Sequence, residues 1–219
     1  MFSLADVASH LAWLDPFLEP LWTGWGTPVS TLETVAFALS IWMVGCNLRV
    51  NPLGWPLAIL SSALYALLFV RSRLYGEAGL QLVFIAMSFW GWWQWLQGRA
   101  ELAQGAAVGS LSAAGRRLTW VSLLVLWPTI GLLLQHATDS DVPWLDALPT
   151  AGSLIGQYLL AKKRVENWPV WLLVNLVSTA LFAYKQLWLT VLLYAVFAAL
   201  SVAGWRAWIR LASGIERSA

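Results

Sequence analysis

The chain has 219 residues, 59% of them hydrophobic and 11% charged, with a formal net charge of +2 and a mean hydropathy of +0.67. A soluble domain carries about 25% charged residues, so this composition excludes an ordinary water-soluble enzyme and indicates an integral membrane protein. The single Cys46 excludes an intramolecular disulfide and a cysteine-based metal cluster, and no basic patch interleaved with aromatics marks a nucleic-acid partner.

Residues 1–30 mix Asp6, His10, Asp15 and Glu19 with Trp13, Trp22 and Trp25, and are broken by Pro16, Pro20, Gly24, Gly26 and Pro28. They read as an extracytoplasmic segment, a short interfacial helix followed by a loop. They lack a basic n-region and a small-residue cleavage site, so no signal peptide is expected. Seven apolar segments follow, near 32–49, 53–71, 76–97, 118–136, 145–162, 165–184 and 187–209. A span needs about 20 apolar residues. The fifth segment is the least apolar, with Asp146, Pro149, Ser153 and Gln157. The stretch 98–117, rich in Gly, Ala, Ser and Arg, reads as a flexible linker.

With seven spans, the N-terminal side holds three basic residues, Arg71, Arg73 and Lys185; the other ten lie opposite, among them Arg116, Arg117, Lys162, Lys163, Arg164, Arg206 and Arg210. The positive-inside rule then places the N-terminus outside and the C-terminus in the cytoplasm.

A shift of 113 residues superposes two parts of the chain. Trp55–Pro56 falls on Trp168–Pro169, Leu68–Phe69 on Leu181–Phe182, and Gly91–Trp92 with Trp95 on Gly204–Trp205 with Trp208. Residues 55–95 and 168–208 share 14 identities in 41 ungapped positions. Shared apolar composition aligns leucines; it does not readily align a Trp-Pro and a Gly-Trp-x-x-Trp together. Spans 1–3 thus correspond to spans 5–7, with span 4 between them. A shift of four spans preserves direction, so the copies are parallel, an all-α 3+1+3 arrangement of the kind found in SWEET transporters. The expected organisation is an N-terminal segment 1–30, a first three-helix repeat 31–97, a linker and fourth helix 98–143, a second repeat 144–210 and a tail 211–219.

The polar residues of the spans obey the same shift: Ser62 pairs with Asn175, Ser40 with Ser153, Gln81 with Tyr194 and Ser88 with Ser201. Single serines and threonines are commonly satisfied by helix backbones. Asn175, Gln157 and Gln81 have more donors and acceptors to satisfy and are expected to line a solute path. Trp168, Trp171, Asn175 and Ser178 share one helix face, where two rings beside a buried amide suit a flat heteroaromatic ligand. In the first copy Asn175 is replaced by Ser62 and Trp171 by Ala58. That copy, with Ser62 and Tyr65, is expected to form a complementary wall.

Asn51–Pro52–Leu53–Gly54–Trp55, Leu74–Tyr75–Gly76–Glu77 and Gly91–Trp92–Trp93–Gln94–Trp95, followed by Glu166–Asn167–Trp168 through Trp171 to Asn175, Tyr184–Lys185–Gln186–Leu187, and Gly204 with Trp208, resemble the PnuC family of vitamin transporters. The resemblance covers residues 30–210. It implies facilitated diffusion of nicotinamide riboside across a bacterial inner membrane, with trapping by a cytoplasmic kinase. The family's ring-stacking aromatics and amide on the sixth span map onto Trp168, Trp171 and Asn175. Related members carry thiamine or riboflavin-like vitamins, so another vitamin remains an alternative. The expected partners are the small-molecule substrate, membrane lipid and, functionally, that kinase; a homo-oligomer is compatible with the sequence.

No cofactor or metal is expected. His10 and His136 are far apart, and His136 with Asp139 and Asp141 lacks metal-ligand spacing. No nucleophile elbow or phosphate loop occurs, so an enzyme is disfavoured. Glu33 and Asp146, equivalent under the shift, lie at the outer edges of spans 1 and 5, as helix caps or as attractors of a cationic solute. The shortage of intramembrane carboxylates favours uniport. A seven-span receptor that binds without transport and a SWEET-type sugar transporter are the rival readings.

Overall fold

A computed structural model describes residues 15–24, 27–71, 75–97, 108–137, 142–184 and 188–216. Expectations on His10, Arg73, Asp139, Asp141, Lys185, Gln186 and linker residues 98–107 lie outside the described residues. Among those described, seven long helices run in chain order: α1 (Thr31–Leu48), α2 (Gly54–Arg71), α3 (Tyr75–Gln97), α4 (Ala113–Ala137), α5 (Pro143–Ala161), α6 (Asn167–Tyr184) and α7 (Trp188–Glu216). Each covers one predicted apolar segment. By length and composition, Thr31–Leu48, Ala113–His136 and Thr190–Gly214 are sufficient to cross a membrane, while Gly54–Leu68 is apolar but shorter. The protein is a multi-pass membrane protein.

Two parts of the sequence reading change. The N-terminal segment contains a one-turn helix, Asp15–Leu18, but Pro20–Gly24 (β1) and Thr27–Ser30 (β2) form an antiparallel hairpin instead of a loop, with Trp22 opposite Val29 and Gly24 opposite Thr27. Trp, Thr and Val favour strands, and both strands are edges, where Pro20 and Pro28 are tolerated. Ser30 ends the hairpin and starts α1, its Oγ accepting the Glu33 N–H at 3.2 Å. This places Glu33 at the third position of a capping box. The second change concerns 108–117. Helix α4 starts at Ala113, with the Ser112 hydroxyl accepting the Gly115 N–H. Residues just before it are pinned: Gly109 exchanges backbone hydrogen bonds with Lys163 and Val165, and the Leu111 N–H reaches both Glu166 carboxylate oxygens at 3.0 Å.

The chain divides into two compact units, residues 1–45 with 53–89, and residues 46–52 with 90–219. In the first, Ser40 and Ser61 share a buried 2.8 Å hydrogen bond between α1 and α2, and both reach the Ala36 carbonyl. In the second, α4, α5 and α6 pack around Leu123, Ala151, Ile155, Leu159 and Val170. Glycines let α5 approach α6 closely: a Cβ on Gly152 would come within 2.5 Å of Val174, and one on Gly156 within 3.0 Å of the Trp171 indole. Gly-x-x-x-Gly spacing puts both on one face, the usual device for tight helix pairs in lipid.

The 113-residue shift recurs in local geometry. Helices α2 and α6 start and end 113 residues apart, as do the starts of α3 and α7 and the ends of α1 and α5. Val50 and Lys163, the two non-glycine residues with positive φ among those described, both sit at φ 52° and are also 113 apart. Each closes a Schellman turn. Asn51 N–H reaches Cys46 O and Val50 N–H reaches Asn47 O; Arg164 N–H reaches Leu159 O and Lys163 N–H reaches Leu160 O. A left-handed β-branched residue costs about 1–2 kcal/mol, and Val50 is held there by burial. The turns lead into Trp55–Pro56 and Trp168–Pro169, which lie in first helical turns where proline's missing N–H has no intrahelical partner to lose.

Candidate functional site: the face of helix α6

Helix α6 carries the predicted face within the second unit. Trp168, Asn175 and Ser178 are 3%, 4% and 2% exposed, and Trp171 is half-buried. Their spacing puts them on one side of the helix, but their surroundings differ.

Trp168 belongs to a cluster of indoles. Its ring meets Trp208 edge-on at 5.6 Å, and Trp208 lies 6.4 Å from Trp95. A Cβ on Gly204 would come within 2.5 Å of three carbons of the Trp168 six-membered ring, so α7 closes over that indole only because residue 204 is glycine. Trp95 and Trp208 are fully buried. The Trp95 Nε1–H donates to Leu160 O and Ala161 O at 3.2 and 3.1 Å, and the Trp208 Nε1–H to Asn47 O at 3.0 Å. Trp95 and Trp208 are equivalents under the shift, and so are Leu160 and Asn47. Each indole therefore holds the helix-ending turn of the opposite half of the sequence repeat, and the bonds to Leu160 O and Asn47 O are reciprocal.

One turn further along, Trp171 lies against Gly156, and Asn175 Nδ2 donates to Ser201 Oγ of α7 at 3.1 Å. Ser201 in turn donates to Phe197 O at 2.8 Å, and Thr179 bonds the Asn175 backbone carbonyl at 2.7 Å. An amide in an apolar setting without partners would cost several kcal/mol; Ser201 satisfies one donor. Gln157 is buried on α5, the helix whose glycines face Trp171 and Val174. Tyr194 stacks on Phe182 at 5.2 Å near the far end of α6. The structure thus brings Trp171, Asn175, Ser178 and Gln157 into the adjoining helices α5 and α6. Gln81, Ser62 and Tyr65 belong to the first unit, where each is half-buried; Ser62 directly follows the bonded Ser61.

A cavity of about 300 Å³ lies elsewhere, lined by Arg116, Thr119, Trp120, Val165, Glu166, Pro169, Val170 and Trp205. It contains none of the predicted residues, and Val170 points away from the Trp168 face. Its rim holds an Arg116–Glu166 contact of 3.8 Å.

Sequence reasoning did not foresee the reciprocal indole–carbonyl bonds or the pairing of Ser201 with Asn175. The repeated Gly-Trp-x-x-Trp signalled the first. The second had only the equivalence of Ser88 and Ser201 as a hint.

Comparison with known proteins identifies the family. A family model described as nicotinamide mononucleotide transporter matches residues 30–210. The riboflavin/roseoflavin transporter RibM of Streptomyces davaonensis is 30% identical, over 70% of this chain and 73% of its own. The nicotinamide riboside transporters PnuC of Escherichia coli and Neisseria mucosa are 22% and 26% identical, over 96% and 84% of this chain and 95% and 74% of theirs. The crystal structure of a vitamin B3 transporter PnuC shares the fold, with a TM-score of 0.69 at 21% identity over 96% of this chain and 88% of that one. The chain belongs to the nicotinamide mononucleotide transporter family of membrane transporters.

Proposed function

We propose that this protein is a uniporter for nicotinamide riboside in the bacterial inner membrane, with trapping by phosphorylation in the cytoplasm. The observation that carries the reading is the α6 face: a half-buried Trp171 one turn from the buried amide of Asn175, in a chain whose relatives include PnuC transporters of that solute. Trp171 is the stacking surface for the cationic pyridinium ring, with cation–π attraction of about 0.5–2 kcal/mol. Trp168, packed under Gly204 and Trp208, anchors the start of the helix. Asn175 bonds the ring's polar substituent, and Ser178 and Gln157 continue the polar lining.

The architecture we infer is seven spans as two parallel three-helix repeats joined by helix α4, N-terminus outside. The repeated turns at Val50 and Lys163 and the reciprocal Trp95 and Trp208 bonds support it. Rocking of the repeats around the midplane site gives alternating access. A vitamin of riboflavin type is the second reading, favoured by the 30% identity to RibM. The test is calorimetry on purified protein and on Asn175→Leu. The wild type binds nicotinamide riboside in preference to riboflavin, thiamine and glucose, and the variant elutes as a folded protein with at least 10-fold weaker binding. Unchanged affinity in the variant removes Asn175 from the site; preference for riboflavin replaces the substrate.

A further inference from the structure

The hydrogen bonds around Ser201 fix more than the position of Asn175. The Ser201 hydroxyl has one proton and gives it to Phe197 O at 2.8 Å. Towards Asn175, 3.1 Å away, the hydroxyl is left as an acceptor. The amide must therefore turn its nitrogen to α7. Its oxygen, Oδ1, is then directed away from Ser201 as the acceptor end of the amide. The two ends of an asparagine amide have similar shape and opposite hydrogen-bonding sense, so what orients the amide decides what the site accepts.

We propose that Ser201 is a specificity-determining positioning residue. It holds Asn175 as an acceptor, so the site selects a ring bearing an N–H donor on its edge, a carboxamide, and rejects a carboxylate. The inference rests on the reading of Trp171 and Asn175 as the ligand face. Trp171 and Asn175 are one turn apart on one side of α6, so a ring lying on the indole presents its edge substituent at the amide. A carboxamide N–H meets Oδ1 favourably. A carboxylate brings acceptor against acceptor, and a methyl ketone leaves Oδ1 unpaired in a buried site. Leaving a buried polar group unpaired lowers affinity by about 10- to 100-fold.

Calorimetry with three ligands tests this: nicotinamide riboside, nicotinic acid riboside, and 3-acetylpyridine riboside, in which methyl replaces the amide nitrogen. The wild type is expected to bind both analogues about 10- to 100-fold more weakly than the amide. In Ser201→Ala the amide is free to turn, and the preference for carboxamide over carboxylate narrows by about 10-fold. In Ser201→Thr, which keeps the hydroxyl, the wild-type preference returns. Equal binding of amide and ketone by the wild type, or an equal loss for all three ligands in Ser201→Ala, overturns the role of Ser201 while leaving the substrate reading intact. Failure of the wild type to bind any of the three overturns the substrate reading and this inference with it. Should Ser201→Ala not fold, Ser201→Cys, whose sulfur is only a weak acceptor, is measured in its place with the same expected narrowing and the same overturning result.

Discussion

Trp95 and Trp208 offer a test of the repeat that does not depend on any substrate. Each indole N–H is given to the turn of the opposite copy, Trp208 to Asn47 O and Trp95 to Leu160 O and Ala161 O. Phenylalanine keeps an aromatic ring and removes the donor. The carbonyls of Asn47 and Leu160 also accept from Val50 and Lys163, so they are not orphaned, and the lost bond costs about 1 kcal/mol. Both side chains are fully buried, so the smaller ring adds a packing loss of about 1–2 kcal/mol, well below the 3–5 of full truncation to alanine. A total of about 2–3 kcal/mol lowers Tm by about 4–12 °C for a chain of this size. Thermal unfolding of Trp95→Phe and Trp208→Phe in detergent should show matching drops, because the two bonds are equivalents. The double variant should lose less than the sum, since the rings lie 6.4 Å apart and share neighbours. A drop in one variant with none in the other refutes the reciprocal arrangement.

Three further outcomes follow from the packing. Gly204→Ala places a methyl against the buried Trp168 ring and should lower Tm through about 1–3 kcal/mol of overpacking. Gly45→Ala has open space and should be neutral or raise Tm slightly through helix propensity; equal effects of the two would contradict the placement of α7 against α6. Glu166→Gln removes the charge that holds the Leu111 N–H. Exchange of the Leu111 amide should quicken by about 5–10-fold, for a loss of about 1 kcal/mol, with little contribution from the exposed Arg116 partner. Unchanged exchange would mean that Glu166 does not pin the residues before α4.

Much of the fold was legible because lipid imposes a simple grammar: apolar runs of span length, punctuated by short polar turns. The aligned tryptophans carried the repeat, and the matched ends of α2 and α6 follow from the same residues. The hairpin at Pro20–Ser30 was hidden, since its two prolines and its Gly24 read as loop when the edge character of both strands is not known. The start of α4 was hidden for a different reason. What ties Leu111 down is Glu166, far along the chain, and composition alone makes 108–112 look like linker. The α6 face was legible as a periodicity, but periodicity does not say what covers a face. Trp168 and Asn175 share one side of the helix, yet α7 seals the first with Gly204 and supplies Ser201 to the second.

The central claim is transport, and uptake of radiolabelled nicotinamide riboside into proteoliposomes tests it most directly. Entry should be saturable, run to equal concentration on both sides, need no proton or sodium gradient, and fall to background in Asn175→Leu. Binding of the solute without entry, or accumulation above the external concentration driven by an ion gradient, would contradict it.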